Sequence, residues 1–110
     1  MKLPNPERAV IAPDKLVQYL LNTARKRGGH KARLLEDFGY HVAHWQQLQS
    51  DILRFHLSVD VEAVRQTPYG TRYEIRAPLQ TPSGRMLMVI TVWQLDEGTD
   101  FPRLITLFPE

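Results

Sequence analysis

The chain is 110 residues long, 43% apolar and 24% charged, with no cysteine. That length supports one domain, residues 1–110, with a real hydrophobic core, and the composition is that of a folded globular chain. It excludes a disulfide framework and a thiolate metal site. No run nears the ~20 apolar residues of a membrane span. Met1–Pro6 lacks the apolar core of a secretory signal, so a cytoplasmic location is expected. The net charge of +2 hides an asymmetry: residues 1–33 hold eight Lys/Arg against two acids, residues 34–110 six against ten. A basic lobe on a near-neutral protein attracts phosphate or an acidic protein partner, or is simply a solvated surface.

Pro4 and Pro6 keep the first residues extended, and Ala9-Val10-Ile11 reads as an added edge strand or a plug over the core. Pro13 and Asp14 suit the start of a helix, whose apolar stripe is Leu16, Val17, Leu20 and Leu21. Gly28-Gly29 interrupts the chain, and a second short helix is predicted from near His30, with Ala32, Leu35 and Phe38 inward and Gly39 as its C-cap. A third helix is predicted from Val42 to Leu57, burying Trp45, Leu48, Ile52 and Phe55.

From Val59 the period becomes two. Val59, Val61 and Ala63 alternate with acids, as in a half-exposed strand. Pro68-Tyr69-Gly70 turns the chain into a second strand with Tyr73, Ile75 and Ala77 on one face, and Thr81-Pro82-Ser83-Gly84 turns it again. Met86–Leu95 is apolar on both faces and is placed centrally. An acidic loop, residues 96–100, precedes a last strand over Arg103–Phe108. Short connections make neighbouring strands antiparallel. The expected fold is α+β: two to three N-terminal helices packed on a four-stranded antiparallel meander. An unpaired edge strand in such a sheet offers a route to a homodimer.

The densest feature is Arg25-Lys26-Arg27-Gly28-Gly29-His30-Lys31-Ala32-Arg33, five cations and a histidine within nine residues. With Leu21-Asn22, Tyr69-Gly70-Thr71-Arg72-Tyr73, Pro82-Ser83-Gly84-Arg85, Trp93 and Phe101-Pro102-Arg103-Leu104, it resembles a bacterial family of unknown function. That family occurs as small stand-alone proteins and as relatives of C-terminal domains in polymorphic toxins and phage head proteins. The resemblance spans nearly the whole chain, although Thr23-Ala24-Arg25-Lys26 stands where family members often carry a proline and a histidine. It implies a toxin-like nuclease, similar in layout to the metal-independent RNases grouped around barnase, EndoU and RelE. The partners it implies are RNA, or an acidic protein encoded nearby.

Metal-independent RNA cleavage needs a base, an acid and cations around the phosphorane. Histidine is the side chain suited to proton transfer near neutral pH, which makes His30 the candidate acid or base; Lys31, Arg33, Arg72 and Arg85 are the candidate cations. Gly28 and Gly29 amides at a helix start, with Arg27, are candidate phosphate donors. Tyr69 and Tyr73 are candidate base-stacking residues. The plain alternative makes His30 a polar cap and the cations solvated. His41 and His44, spaced i, i+3, lack an evident third ligand, so no metal or cofactor is expected. Gly28-Gly29 lacks the Lys-Ser/Thr of a P-loop. The competing reading is a non-enzymatic protein-binding module of a toxin–antitoxin-like locus.

Overall fold

The structure, a computed structural model, describes all 110 residues. A π-helical turn, Lys15–Leu20, leads to helix α1, Gly29–Asp37. A single 3-10 turn, Val42–His44, precedes helix α2, Trp45–His56. The strands β1 Ala63–Thr67, β2 Gly70–Gln80, β3 Met86–Asp96 and β4 Arg103–Pro109 follow. They form one antiparallel sheet in the order β1-β2-β3-β4, the meander expected from the short connections.

Alternation decides which face the helices cover. The register sets Tyr73 opposite Trp93, Ile75 opposite Thr91, Ala77 opposite Val89 and Leu79 opposite Leu87. All eight are buried. Leu48, Ile52 and His56 recur at helical spacing on α2 and pack on that face, with Leu16, Leu20, Leu21 and Leu35 beside them. Each fully buried aliphatic side chain contributes on the order of 1.5–3 kcal/mol relative to exposure.

Two local irregularities decide which way key side chains point. Leu104 and Leu107 are three residues apart, so a regular strand would turn one of them outward. A bulge opposite Val92/Trp93 pairs Leu104 with Trp93 and Thr106 with Val92, leaving Ile105 as the extra residue. Both leucines thereby reach the core, and Thr106 faces out along the β4 edge. In the π-turn the Leu21 amide donates to the Leu16 carbonyl at 2.8 Å, five residues back. That wider turn buries Leu16, Leu20 and Leu21 together.

Other expectations need correction. The first strand starts at Ala63, not Val59, because pairing with β2 runs back from the Pro68-Tyr69 turn only to Ala63–Glu74. Val59 and Val61 pack as half-buried loop residues, and the Val61 amide donates to the Met1 carbonyl at 2.6 Å. The third helix becomes regular only at Trp45. Val10 makes an isolated parallel bridge to Arg103 while Ile11 is buried, so this segment serves both as edge and as plug. Pro78, with no N–H to donate, sits in β2 beyond the point where β1 has ended. No helix is long and apolar enough to cross a membrane.

Candidate functional site

The loop from Asn22 to Gly28 and the start of α1 form the basic lobe. Gly28 caps α1 with φ +81°, a left-handed conformation that glycine adopts without steric cost. A Cβ on Gly29 would lie 3.0 Å from the Thr23 carbonyl oxygen, so the glycine pair is needed both for the turn and for a close approach. Arg33 Nη1 donates to that same carbonyl at 3.1 Å and folds the loop against the helix. The Gly28 carbonyl accepts from the Lys31 and Ala32 amides. His30 is exposed at the second helical position.

Lys31, half-buried, reaches across to β4. Its Nζ donates to the Leu107 carbonyl at 3.1 Å and to Thr106 Oγ1 at 3.4 Å. Thr106 Oγ1 in turn donates to the Tyr19 hydroxyl at 3.4 Å. Tyr19, on the π-turn, carries Arg25 at 4.1 Å, Lys15 at 4.9 Å and Lys31 at 5.4 Å from its ring centre. The Thr106 hydrogen bond and the charges of Lys31 and Arg25 hold its phenol below the usual tyrosine range, against the opposing pull of burial. The ion pairs of the molecule involve the N-terminus, Lys2, Arg8, Arg65, Arg76 and Arg103. The six cations from Lys15 to Arg33 make none. Positive charge without carboxylate partners is concentrated on one surface, the requirement for an anion site.

The structure splits the sequence candidates. His30, Lys31 and Arg33 sit with Arg27, Gly28 and Gly29 at the start of α1. Arg85 lies beside the other end of that helix, about 12 Å further along its axis by the usual rise. There it stacks on Phe38 at 4.2 Å and donates to the Asp37 carbonyl at 3.2 Å. Arg72 lies on the sheet face opposite the helices, where its Nε donates to Gln94 Oε1 at 3.2 Å. Gln94 is 1% exposed, and its Nε2 has no partner. The tyrosine pair is not a platform. Tyr69, at the hairpin tip, is 75% exposed, whereas Tyr73 is 7% exposed and packs in the core, because strand alternation turns it inward. Tyr19, Lys15 and Thr106 are not evident from the sequence. The one available signal is the i, i+4 spacing of Lys15 and Tyr19, which puts both on one side of a helical turn.

Two hollows lie elsewhere. One of about 530 Å³ includes Asp51, Arg54, Thr81 and Met86. One of about 420 Å³ includes Gln66, Thr71, Asp96 and Thr99. Asp51 is already occupied: Tyr40 donates to Oδ2 at 2.6 Å and Gln47 to Oδ1 at 2.9 Å. His56, the last residue of α2, is fully buried, bonded to Thr91 Oγ1 at 2.7 Å and the Ala77 carbonyl at 3.0 Å. Burial pushes its pKa down to about 4, so it is a neutral core group.

Residues 2–110 match the model of a domain of unknown function, DUF6883. The chain belongs to the DUF6883 family. Comparison with curated proteins finds no match. Among solved structures, this DUF6883 chain is similar to a chain of a contact-dependent growth inhibition toxin–immunity protein complex from Klebsiella pneumoniae 342. The TM-score is 0.61 at 15% identity, covering 92% of this chain and 99% of that one. At that identity the likeness is one of fold, and it extends over nearly the whole of both chains.

Proposed function

We propose that this DUF6883 domain is a toxin-type, metal-independent ribonuclease whose site is the basic surface at the start of α1. The observation that carries the reading is the set of six cations from Lys15 to Arg33, free of carboxylate partners, three of which, Lys15, Arg25 and Lys31, lie over the Tyr19 ring beside Thr106. Lys31 and Arg33, with Arg27 and the Gly28 and Gly29 amides, hold the phosphate and offset the charge that builds on it. His30, exposed beside them, exchanges a proton with the ribose or the leaving oxygen. The RNA substrate is supported by the sequence resemblance to toxin domains and by the fold shared with a chain of a toxin–immunity complex. The test is incubation of the protein with tRNA or total RNA in EDTA, beside His30→Ala. Cleavage by the wild type that falls about 10²-fold or more in the variant is expected. No wild-type cleavage, or equal cleavage by the variant, removes the proposal.

A second reading, a non-enzymatic partner-binding module, is favoured by the fact that the structural neighbour comes from a complex of two proteins. It predicts a stable complex with an acidic protein encoded alongside. Charge reversal at Arg25, Lys26 and Arg27 would dissociate that complex in gel filtration while leaving RNA intact in both cases.

A further inference from the structure

A tyrosine ring with three cations on it, none of them paired with a carboxylate, is electrostatically incomplete. Lys15 comes from the π-turn, Arg25 from the loop after it, and Lys31 from α1; the neutral Thr106 comes from β4. No carboxylate pairs with any of these cations. The hydrogen bonds run in one direction: Lys31 Nζ to Thr106 Oγ1, and Thr106 Oγ1 to the phenol oxygen. Each one directs positive charge toward that oxygen and stabilises its ionised form. The phenol's own proton has no acceptor in the fold, which leaves it available to a bound group. The π-turn that presents Tyr19 is a rare helical form, found mostly as single turns and frequently at functional sites. Thr106, which meets the Tyr19 hydroxyl, follows directly on the Ile105 bulge.

We propose that Tyr19 is the proton-transfer residue of a phosphodiester seat formed with Lys31, Arg25 and Thr106. The assignment rests on the ribonuclease reading above and names its base. Tyr19, as phenolate, takes the proton of the ribose 2′-hydroxyl. The 2′-oxygen bonds to phosphorus as the bond to the 5′-oxygen breaks, and the departing 5′-oxygen takes a proton from His30. The products are a 2′,3′-cyclic phosphate and a 5′-hydroxyl, with no change of oxidation state. Lys31 and Arg25 sit on the charge that develops on the phosphoryl oxygens.

Two experiments separate this assignment from the broader one. Ultraviolet titration of the four tyrosines should show one ionising ahead of the rest. That early step should vanish in Tyr19→Phe, move to higher pH in Lys31→Met, and move to higher pH with inorganic phosphate bound at the seat. A wild-type titration without an early step, or one unchanged in Tyr19→Phe, overturns the proposal. The second experiment follows cleavage of a short oligoribonucleotide in EDTA against pH. Because the step needs Tyr19 ionised and His30 protonated, the wild-type rate should level off once His30 loses its proton and fall only after Tyr19 has ionised. Tyr19→Phe, which keeps the ring and its cations, should lose about 10²-fold or more in kcat with little change in KM, and its profile should lose that plateau. Thr106→Val should carry the end of the plateau to higher pH. Cleavage by Tyr19→Phe at the wild-type rate and slope overturns the Tyr19 assignment alone. Absence of wild-type cleavage overturns it together with the ribonuclease reading.

Discussion

Tyr19 and Tyr40 carry the same side chain into opposite surroundings. Tyr40 is 1% exposed and donates to the buried Asp51 carboxylate; burial, and then that negative charge, push its phenol above the usual range. Tyr19 stands half-open among cations and accepts its hydrogen bond, and its phenol moves the other way. The first arrangement satisfies every partner and ties the residue after Gly39 to α2. The second leaves charge uncompensated at a surface, which costs stability unless something anionic visits. The difference teaches where to look for chemistry in this fold: polar groups under α2 are fastened to one another, while the cations at the start of α1 bond only to neutral oxygens and keep their charge unpaired.

Substitutions can break that contrast. The largest effect is expected for Lys31→Ala, which should lower RNA cleavage by about 10²–10³-fold, the cost of removing one charge-stabilising donor. Its urea midpoint should stay near that of the wild type; a collapse of the midpoint would make Lys31 structural like Asp51. On the buried side, His56 has its pKa lowered from 6.5 to about 4, so the folded state binds fewer protons than the unfolded one between those values. Stability is therefore full above pH 6.5 and declines as pH falls toward 4, by about 3 kcal/mol over that window. Urea unfolding as a function of pH measures it, and His56→Gln should flatten the slope. Tyr40→Phe leaves Asp51 with one donor fewer and should cost about 1–2 kcal/mol in urea unfolding. Smallest is Lys26→Ala. It should change stability by under about 0.5 kcal/mol and make the salt dependence of RNA binding shallower by about one unit in log–log slope. A cost well above that would mean the basic loop is part of the scaffold.

Much of the scaffold is legible in the sequence because periodicity reports burial. Ile75 and Ala77 alternate, Leu48 and Ile52 repeat at helical spacing, and the structure buries all four. The turns at Pro68-Tyr69-Gly70 and Thr81–Gly84 fall where glycine and proline place them. The start of β1 is not legible, since Val59 and Val61 alternate with acids as a strand does but have no strand to pair with. At the basic lobe, local clustering finds Lys31 and Arg33 but cannot say that Arg85 belongs to the far end of α1. Tyr73 resembles a surface aromatic because its neighbours Arg72 and Glu74 are charged; alternation makes that the mark of an inward residue. Thr106 is invisible, because its position depends on a bulge that only the packing demands of Leu104 and Leu107 create.

Pro78 has a further consequence. Past Glu74, one flank of β2 has no neighbouring strand, and a bare flank is where a second molecule can add itself as an extra strand. A proline there cannot supply the amide that such docking requires, so the vulnerable half of the sheet is guarded by a missing hydrogen rather than by a covering helix. Pro78→Val would restore that hydrogen, and concentrated solutions of the variant should scatter light where the wild type stays clear.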